Sequence, residues 1–162
     1  MKLEEILNSY LTRNDWNYMW QKEQNTFAFG FEGRNGKMVC SLTVKDNEQV
    51  MFYSTYTKNI PAEHLDKVIL HITKENYKLI IGNFELDVKD GELNYKTSVD
   101  MYGRDYMSDE EISNLINPNL STMDRNLKIL DMITGHDSNL PSLDFNESDI
   151  KQWKKNMERY EW

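Results

Sequence analysis

Two short turn sequences constrain the fold of this chain more than any other feature. Asn35-Gly36 and Asp90-Gly91 each separate two segments in which apolar and polar residues alternate. A period of two is typical of a strand with one buried face, and an Asn-Gly or Asp-Gly pair between two such segments predicts a β-hairpin with a type I′ turn. Because a hairpin joins antiparallel neighbours, the sequence predicts a mainly antiparallel sheet.

Each hairpin predicts a register that collects apolar side chains on one face of the sheet. In the first hairpin the predicted pairs are Arg34 with Lys37, Phe31 with Cys40, Phe29 with Leu42 and Phe27 with Val44. In the second they are Val88 with Leu93, Leu86 with Tyr95 and, on the outer face, Glu85 with Lys96. A three-residue turn at residues 46–48 would add a strand over residues 50–56, with Leu42 opposite Phe52.

Apolar residues at helical spacing predict three helices around these strands. The first two cover residues 2–12 and 61–76, and the third begins at a capping box of Ser108 and Glu111 and ends near Gly135. Asn117-Pro118 either kinks the third helix or forms the N-cap and first residue of a successor, and we favour the second interpretation. With a further strand over residues 16–20, the predicted fold is α+β in the order α-β-β-β-β-α-β-β-α, with helices packed on one face of a mainly antiparallel sheet.

Length and composition predict one domain followed by a C-terminal extension. The 162 residues carry 27 acidic and 19 basic side chains, and this net charge of −8 disfavours nucleic acid as a partner. No apolar run approaches the length of a membrane span, the N-terminal residues lack the pattern of a signal peptide, and the single cysteine cannot form an internal disulfide. We therefore expect a soluble cytoplasmic chain without stable membrane insertion, with a domain at residues 1–136 and a linker and amphipathic tail helix at 137–162.

Residues suited to catalysis or metal binding are few. Cys40 is predicted to point inward, where a thiol behaves as a small apolar group with a raised pKa. His64 and His71 lie seven residues apart without further ligands, so we expect exposed helical histidines, and His136 is predicted to cap the third helix. The sequence also has no phosphate-binding glycine motif, and we expect no catalytic activity, no metal and no cofactor.

Two sets of apolar side chains are candidates for binding a partner. The first points outward from the predicted sheet and comprises Met19, Ala28, Val39, Met51 and Tyr53. Either a second subunit, in a homodimer, or the helices of the domain itself would cover such a face. The second set is the apolar face of the predicted tail helix, which either docks a partner or packs on its own domain: Ile150, Trp153, Met157 and Tyr160.

Two segments of the chain carry a family resemblance. They are Gly82-Asn83-Phe84-Glu85-Leu86-Asp87 with the Asp90-Gly91 turn and the strand through Asp100, and Asn119-Leu120-Ser121-Thr122-Met123-Asp124-Arg125. Together they resemble the YbjN family of bacterial proteins, and the likeness extends over about residues 2–135. The resemblance implies a fold similar to that of type III secretion chaperones, which commonly dimerise and bind other protein chains, and it implies no reaction and no catalytic residues.

The sequence therefore predicts a non-catalytic protein-binding module, chaperone-like or regulatory, that acts as a monomer or a homodimer. Two other interpretations stay open. In one, Trp16, Tyr18, Trp20 and the phenylalanines line the cavity of a small-ligand-binding or enzymatic domain. In the other, the acidic chain is an immunity-type protein that neutralises a toxin.

Overall fold

The computed structural model describes residues 2–46 and 48–136. The main elements are α1 (Leu3–Arg13), β1 (Met19–Gln21), β2 (Thr26–Glu32), β3 (Lys37–Lys45), β4 (Gln49–Tyr56), α2 (Leu65–Lys78), β5 (Asn83–Leu86), β6 (Leu93–Asp100) and α3 (Asp109–Ile133). Short 3-10 turns at Lys22–Gln24 and Ala62–His64 precede β2 and α2. The predicted order of helices and strands is confirmed up to α3, and the predicted tail helix lies outside the described residues.

All strands belong to one six-stranded sheet in the order β1-β2-β3-β4-β6-β5, and each neighbouring pair is antiparallel. The predicted α+β class is therefore confirmed. The predicted strand over residues 16–20 is wrong in its first half, because the chain is still turning after α1 there. Asp15 has a φ of 55°, and the amide of Trp16 donates to the carbonyl of Leu11 at 3.0 Å.

The helices pack against one face of the sheet, as predicted. Alternate strand residues point towards them, so that in β4 the side chains of Val50, Phe52, Ser54 and Tyr56 are buried while those between them are partly exposed. These inward residues join the apolar stripes of the helices in one continuous core. The core therefore lies between the sheet and the helices.

The register is as predicted in one hairpin and shifted in two. Leu42 lies opposite Phe52 across the three-residue turn between β3 and β4, as predicted. The predicted registers of the first and last hairpins are wrong by two residues. The observed pairs are Phe31 with Met38, Phe29 with Cys40, Phe27 with Leu42, Glu32 with Lys37, Leu86 with Leu93, Glu85 with Asn94 and Phe84 with Tyr95.

Both shifts have the same cause, which is a longer loop than a type I′ turn. The amide of Gly33 donates to the carbonyl of Gly36 at 2.8 Å, and Asn35 does not adopt the positive φ that a type I′ turn requires. In the last hairpin, Gly91 has a φ of 79° whereas Asp90 does not have a positive φ, and Val88 lies in the loop. Because each shift is an even number of residues, every strand residue keeps its predicted face.

Helix α3 continues through Pro118 without a break, so the interpretation of Asn117 as the N-cap of a successor is wrong. A proline removes one helical hydrogen bond and crowds the preceding turn. The carbonyl that loses its helical donor is that of Asn114, and the Thr97 hydroxyl donates to the next carbonyl of that turn, Leu115, at 2.7 Å. Asn117 instead donates to the Ser113 hydroxyl at 2.8 Å. The sheet itself thus stabilises the helix where the proline weakens it.

The residue after Pro118 joins α3 to the sheet. The Asn119 side-chain amide donates to the carbonyls of Phe52 at 3.0 Å and Tyr95 at 2.9 Å and to the Thr97 hydroxyl at 3.2 Å. Its oxygen accepts from the Ser54 hydroxyl at 2.5 Å. Because every group in this cluster is buried, the cluster sets the position of α3 over β4 and β6.

The C-terminal end of α3 is attached to the end of β4. Asp131 accepts hydrogen bonds from the Tyr56 hydroxyl and, at 2.8 Å, from the Lys58 ammonium. Gly135, with a φ of 71°, ends the helix, and the backbone amide of His136 donates to the carbonyl of Asp131 at 2.8 Å. His136 therefore caps the helix, as predicted, although it does so through its backbone amide.

Candidate functional site

The sheet face opposite the helices, which we call the outer face, holds four of the predicted binding residues. Met19 and Val39 are 69% and 53% exposed, and Met51 and Tyr53 are partly exposed. None of the three described helices packs on this face, so the expectation that the domain's own helices could cover it is not met within residues 2–46 and 48–136. The other predicted binding residues, Trp153, Met157 and Tyr160, lie outside the described residues.

The strand register brings the outer-face residues together. Met19 pairs with Ala28, which pairs with Ser41, which in turn pairs with Tyr53. Val39 lies beside Ser41 on the same face of β3, since the two are separated by one inward residue. An apolar strip therefore runs from the β1 edge to the middle of the sheet.

Beyond Tyr53 the outer face becomes polar. Lys96, opposite Tyr53, forms an ion pair with Glu85, and Thr55 donates to the Asn94 amide oxygen at 2.5 Å. The hydrogen bond to Glu85 raises the pKa of Lys96, and burial, followed by the Glu85 charge, raises the pKa of Tyr53. The outer face can therefore offer an apolar strip for desolvated contact and a polar half for orientation.

A second feature lies on the helix side of the sheet, between the first hairpin loop and α3. We call it the α3 groove, and its volume is about 530 Å³. Trp16, Phe31 and Leu120 provide its apolar lining, and the rings of Trp16 and Phe31 stack with their centroids 6.2 Å apart. Arg34 and Arg125 belong to the same lining. The α3 groove therefore combines apolar surface with positive charge.

Asp124 holds the wall of the α3 groove in place. Its carboxylate accepts from the Asn35 backbone amide at 2.9 Å and from the Asn35 side-chain amide at 3.1 Å. A Cβ on Gly33 would lie 2.1 Å from Asp124 Oδ1, so a larger residue there would displace the carboxylate that bonds to Asn35. The loop and α3 are therefore locked together, and the groove is preformed.

The sequence matches a known family over most of its length. The model of the YbjN family, described as "Putative bacterial sensory transduction regulator", matches residues 4–130. The chain belongs to the YbjN family. A comparison with curated protein sequences finds no match.

Solved structures share the fold of this YbjN-family chain. The structure of YbjN from E. coli, titled "a putative transcription regulator", is similar with a TM-score of 0.60 and 9% identity over 76% of this chain and 87% of that one. The ExsC-ExsE complex matches with a TM-score of 0.59 and 12% identity, covering 80% of this chain and 97% of that one. The Yersinia pestis type III secretion chaperone SycH, in complex with a fragment of YscM2, matches with a TM-score of 0.52 and 13% identity, covering 76% of this chain and 98% of that one. The expected likeness to type III secretion chaperones is confirmed at the level of the fold.

The family match includes both the outer face and the α3 groove, since it extends from residue 4 to residue 130. Sequence reasoning found the outer face because strict alternation assigns each strand residue to one side. It missed the α3 groove, whose lining comes from three separate parts of the chain. The one sequence signal was the segment 119–125, which carries the family resemblance and supplies Leu120, Asp124 and Arg125.

The aromatic residues of this YbjN-family chain do not share one cavity. Trp16 packs edge-on against Phe29 with ring centroids 4.9 Å apart, and Trp20 packs on Phe27 at 4.3 Å. Phe27 and Phe29 are buried in the core. Tyr18 lies beside α1 and donates to the Asn8 amide oxygen at 2.7 Å. The rings therefore fill the edge of the core, and Trp16 and Phe31 alone among them reach the α3 groove.

The cysteine and one of the histidines considered for catalysis are buried. Burial raises the pKa of the Cys40 thiol to about 12, and the predicted inward orientation of Cys40 is confirmed. The expectation that His71 is exposed is wrong, because α3 covers it and its Nε2–H donates to the Asn126 amide oxygen at 2.8 Å. Burial lowers the pKa of His71 and so keeps the ring neutral.

Within the described part of the chain, no group of three or more histidine, cysteine, aspartate or glutamate side chains could hold a metal ion. Of the helices in that part, none combines the length and apolar character needed to cross a membrane.

Proposed function

We propose that this YbjN-family chain is a non-catalytic protein-binding module, chaperone-like or regulatory, that binds another polypeptide through the outer face. The observation that carries the proposal is the exposure of Met19 and Val39 on a sheet whose other face holds all three described helices. Contiguous apolar surface of this kind is characteristic of interaction sites.

The structural neighbours support a protein partner. Two of them are complexes of a chaperone with a second protein: the HopA1-SchA chaperone-effector complex, with a TM-score of 0.54 and 13% identity, and SycH with a fragment of YscM2. The partner of the present chain is expected to place apolar side chains on the strip formed by Met19, Val39 and Tyr53.

The chemistry of the buried groups supports a non-catalytic role. A nucleophilic cysteine needs a thiolate near neutral pH, whereas the pKa of Cys40 is raised to about 12. A catalytic histidine is usually oriented by a carboxylate, whereas His71 is hydrogen-bonded to the amide of Asn126.

A matched pair of substitutions tests the outer face. Val39→Lys places a charge in the middle of the apolar strip, and Val88→Lys places the same charge in the last hairpin loop, where Val88 is 58% exposed against 53% for Val39. The Val88→Lys variant should still capture from bacterial lysate the proteins that the unmodified full chain captures. The Val39→Lys variant should no longer capture them. Equal capture by both variants, or no specific protein captured by the unmodified chain, would refute the proposal.

The mass of the chain in solution distinguishes the two kinds of partner. A homodimer built on the outer face would dissociate to monomers with Val39→Lys and would persist with Val88→Lys. A monomeric unmodified chain that still captures a protein through Val39 would instead identify a different polypeptide as the partner.

We propose a second contact at Trp153, Met157 and Tyr160, which share one face of the amphipathic pattern in the domain's C-terminal extension, residues 137–162. Trp153→Ala with Met157→Ala should weaken capture of the same partner, while Lys151→Ala with Lys154→Ala, on the polar side of the pattern, should weaken it less. A larger effect of the lysine pair would assign the contact to charge instead.

A further inference from the structure

The α3 groove has two cationic residues that form no ion pair within the described part of the chain. Arg34 forms no ion pair with any described residue, and Arg125 donates to the Thr122 hydroxyl at 3.2 Å. The neighbouring Asp124 carboxylate is already engaged by the two amide groups of Asn35. Two guanidinium groups beside an apolar lining fit a polypeptide segment that carries carboxylates and large apolar side chains.

A segment of this composition occurs in the chain itself. Residues 137–149 contain four carboxylates, at Asp137, Asp144, Glu147 and Asp149, and no lysine or arginine. Between these charges lie three large apolar residues, Leu140, Leu143 and Phe145. The segment therefore complements the α3 groove in both charge and hydrophobic character.

The segment is also long enough to reach the α3 groove from the end of α3. Going back along the helix from Ile133 to Asp124 and Leu120 covers about 14–20 Å, at roughly 1.5 Å per residue. From Gly135, an extended chain reaches up to about 26 Å at Leu143 and about 33 Å at Phe145, at roughly 3.3 Å per residue. Leu143 and Phe145 can therefore return to the groove that Leu120 lines.

We propose that the α3 groove binds residues 140–149 of the same chain, with Leu143 and Phe145 against Trp16, Phe31 and Leu120, and with Asp144 and Glu147 paired with Arg34 and Arg125. The groove is preformed, because Asp124 already fixes its wall, so its lining need not rearrange on binding. This contact lies on the opposite side of the sheet from the outer face and does not use the residues proposed to bind the partner.

Crosslinking in the full chain tests this contact. Ser121 is an exposed residue of the groove lining and Ser142 lies in the acidic segment, so Ser121→Cys with Ser142→Cys provides a pair for a short bismaleimide. The control joins the same Ser142→Cys to Ser98→Cys, an exposed serine on the outer face. The native Cys40 does not compete, because its thiol is buried and its pKa is raised to about 12.

The groove pair should crosslink at least tenfold faster than the control pair, and the product should have the mass of a single chain. Equal rates for the two pairs, or faster reaction of the Ser98 pair, would overturn the proposal. A product with twice the mass would also overturn it, because a second copy would then supply the segment.

Charge reversal tests the recognition itself. In the groove-pair chain, Arg34→Glu with Arg125→Glu should lower the crosslinking rate to that of the control. Adding Asp144→Lys and Glu147→Lys to that chain should restore the rate, which a folding defect would not allow. If the rate is unchanged by the arginine replacements, or is not restored by the compensating ones, the charge pairing is refuted. Val39→Lys, on the outer face, should leave the rate unchanged whatever its effect on partner capture.

Discussion

Replacement of Asn119 by alanine should destabilise the domain by about 3 kcal/mol. The side chain is fully buried and takes part in four hydrogen bonds, to Phe52, Tyr95, Thr97 and Ser54. An intramolecular hydrogen bond contributes about 0.5–1.5 kcal/mol net, and a buried group left without a partner costs about 1–3 kcal/mol. Alanine would leave the Ser54 hydroxyl without its acceptor and remove the donor shared by the two carbonyls, so a loss near 3 kcal/mol follows.

The control lies two residues earlier in the same helix. Asn117 is exposed and bonds only to Ser113 among the described residues, so Asn117→Ala should change the free energy of unfolding by no more than about 0.5 kcal/mol. Alanine also favours the helix more than asparagine does, which moves this control towards slight stabilisation.

Urea unfolding followed by circular dichroism measures the difference. Taking a denaturant dependence of about 2 kcal/mol per molar urea, Asn119→Ala should lower the unfolding midpoint by about 1.5 M, with an unchanged slope. If its midpoint falls by less than about 0.5 M relative to that of Asn117→Ala, the buried amide does not hold α3 to the sheet and the reasoning fails.

Three further predictions follow from single residues. Gly91→Ala should cost more than about 2 kcal/mol in urea unfolding, because Gly91 has a φ of 79° and a Cβ would lie 2.2 Å from the Ile60 carbonyl oxygen; a smaller loss would show that the loop can relax. Cys40 should not react with a thiol reagent at pH 8 until the chain is unfolded, because burial raises its pKa to about 12; rapid reaction in the folded chain would contradict this burial. For His71 the folded pKa lies below the unfolded value of about 6.5, so the unfolded state binds more protons as the pH falls through 6.5 and stability decreases. Between pH 7.5 and pH 5.5 the melting temperature should fall less for His71→Gln, which can keep the hydrogen bond to Asn126, than for the unmodified chain. An equal fall in both chains would refute the assignment of this pH dependence to His71.

Local sequence signals predicted the elements and their faces. Hydrophobic alternation placed Phe27, Phe29, Cys40 and Leu42 on the inner face, where the structure has them. Alternation determines only whether a residue is odd or even along a strand, so it cannot detect a shift of two residues in the pairing. The first hairpin shifted in this way because a distant residue, Asp124, holds its four-residue loop.

Contacts between distant parts of the chain were beyond local signals. Pro118 reads as a helix breaker in isolation, and the Thr97 hydroxyl that bonds to the turn before it comes from a strand. His71 likewise reads as an exposed helical residue until Asn126 of α3 covers it. For the same reason the outer face could be predicted from the alternation of single strands, whereas the α3 groove, assembled from several elements, could not.

The two edge strands of the sheet are its shortest strands, with 3 residues in β1 and 4 in β5. Edges this short present little unpaired main chain, so they protect the molecule against uncontrolled strand-to-strand association. For the partner proposed for the outer face, selectivity is then expected from the side chains of the longer inner strands. Since residues such as Val39 and Met51 alternate with core residues without belonging to the core, evolution can exchange them to change binding preference while folding proceeds as before.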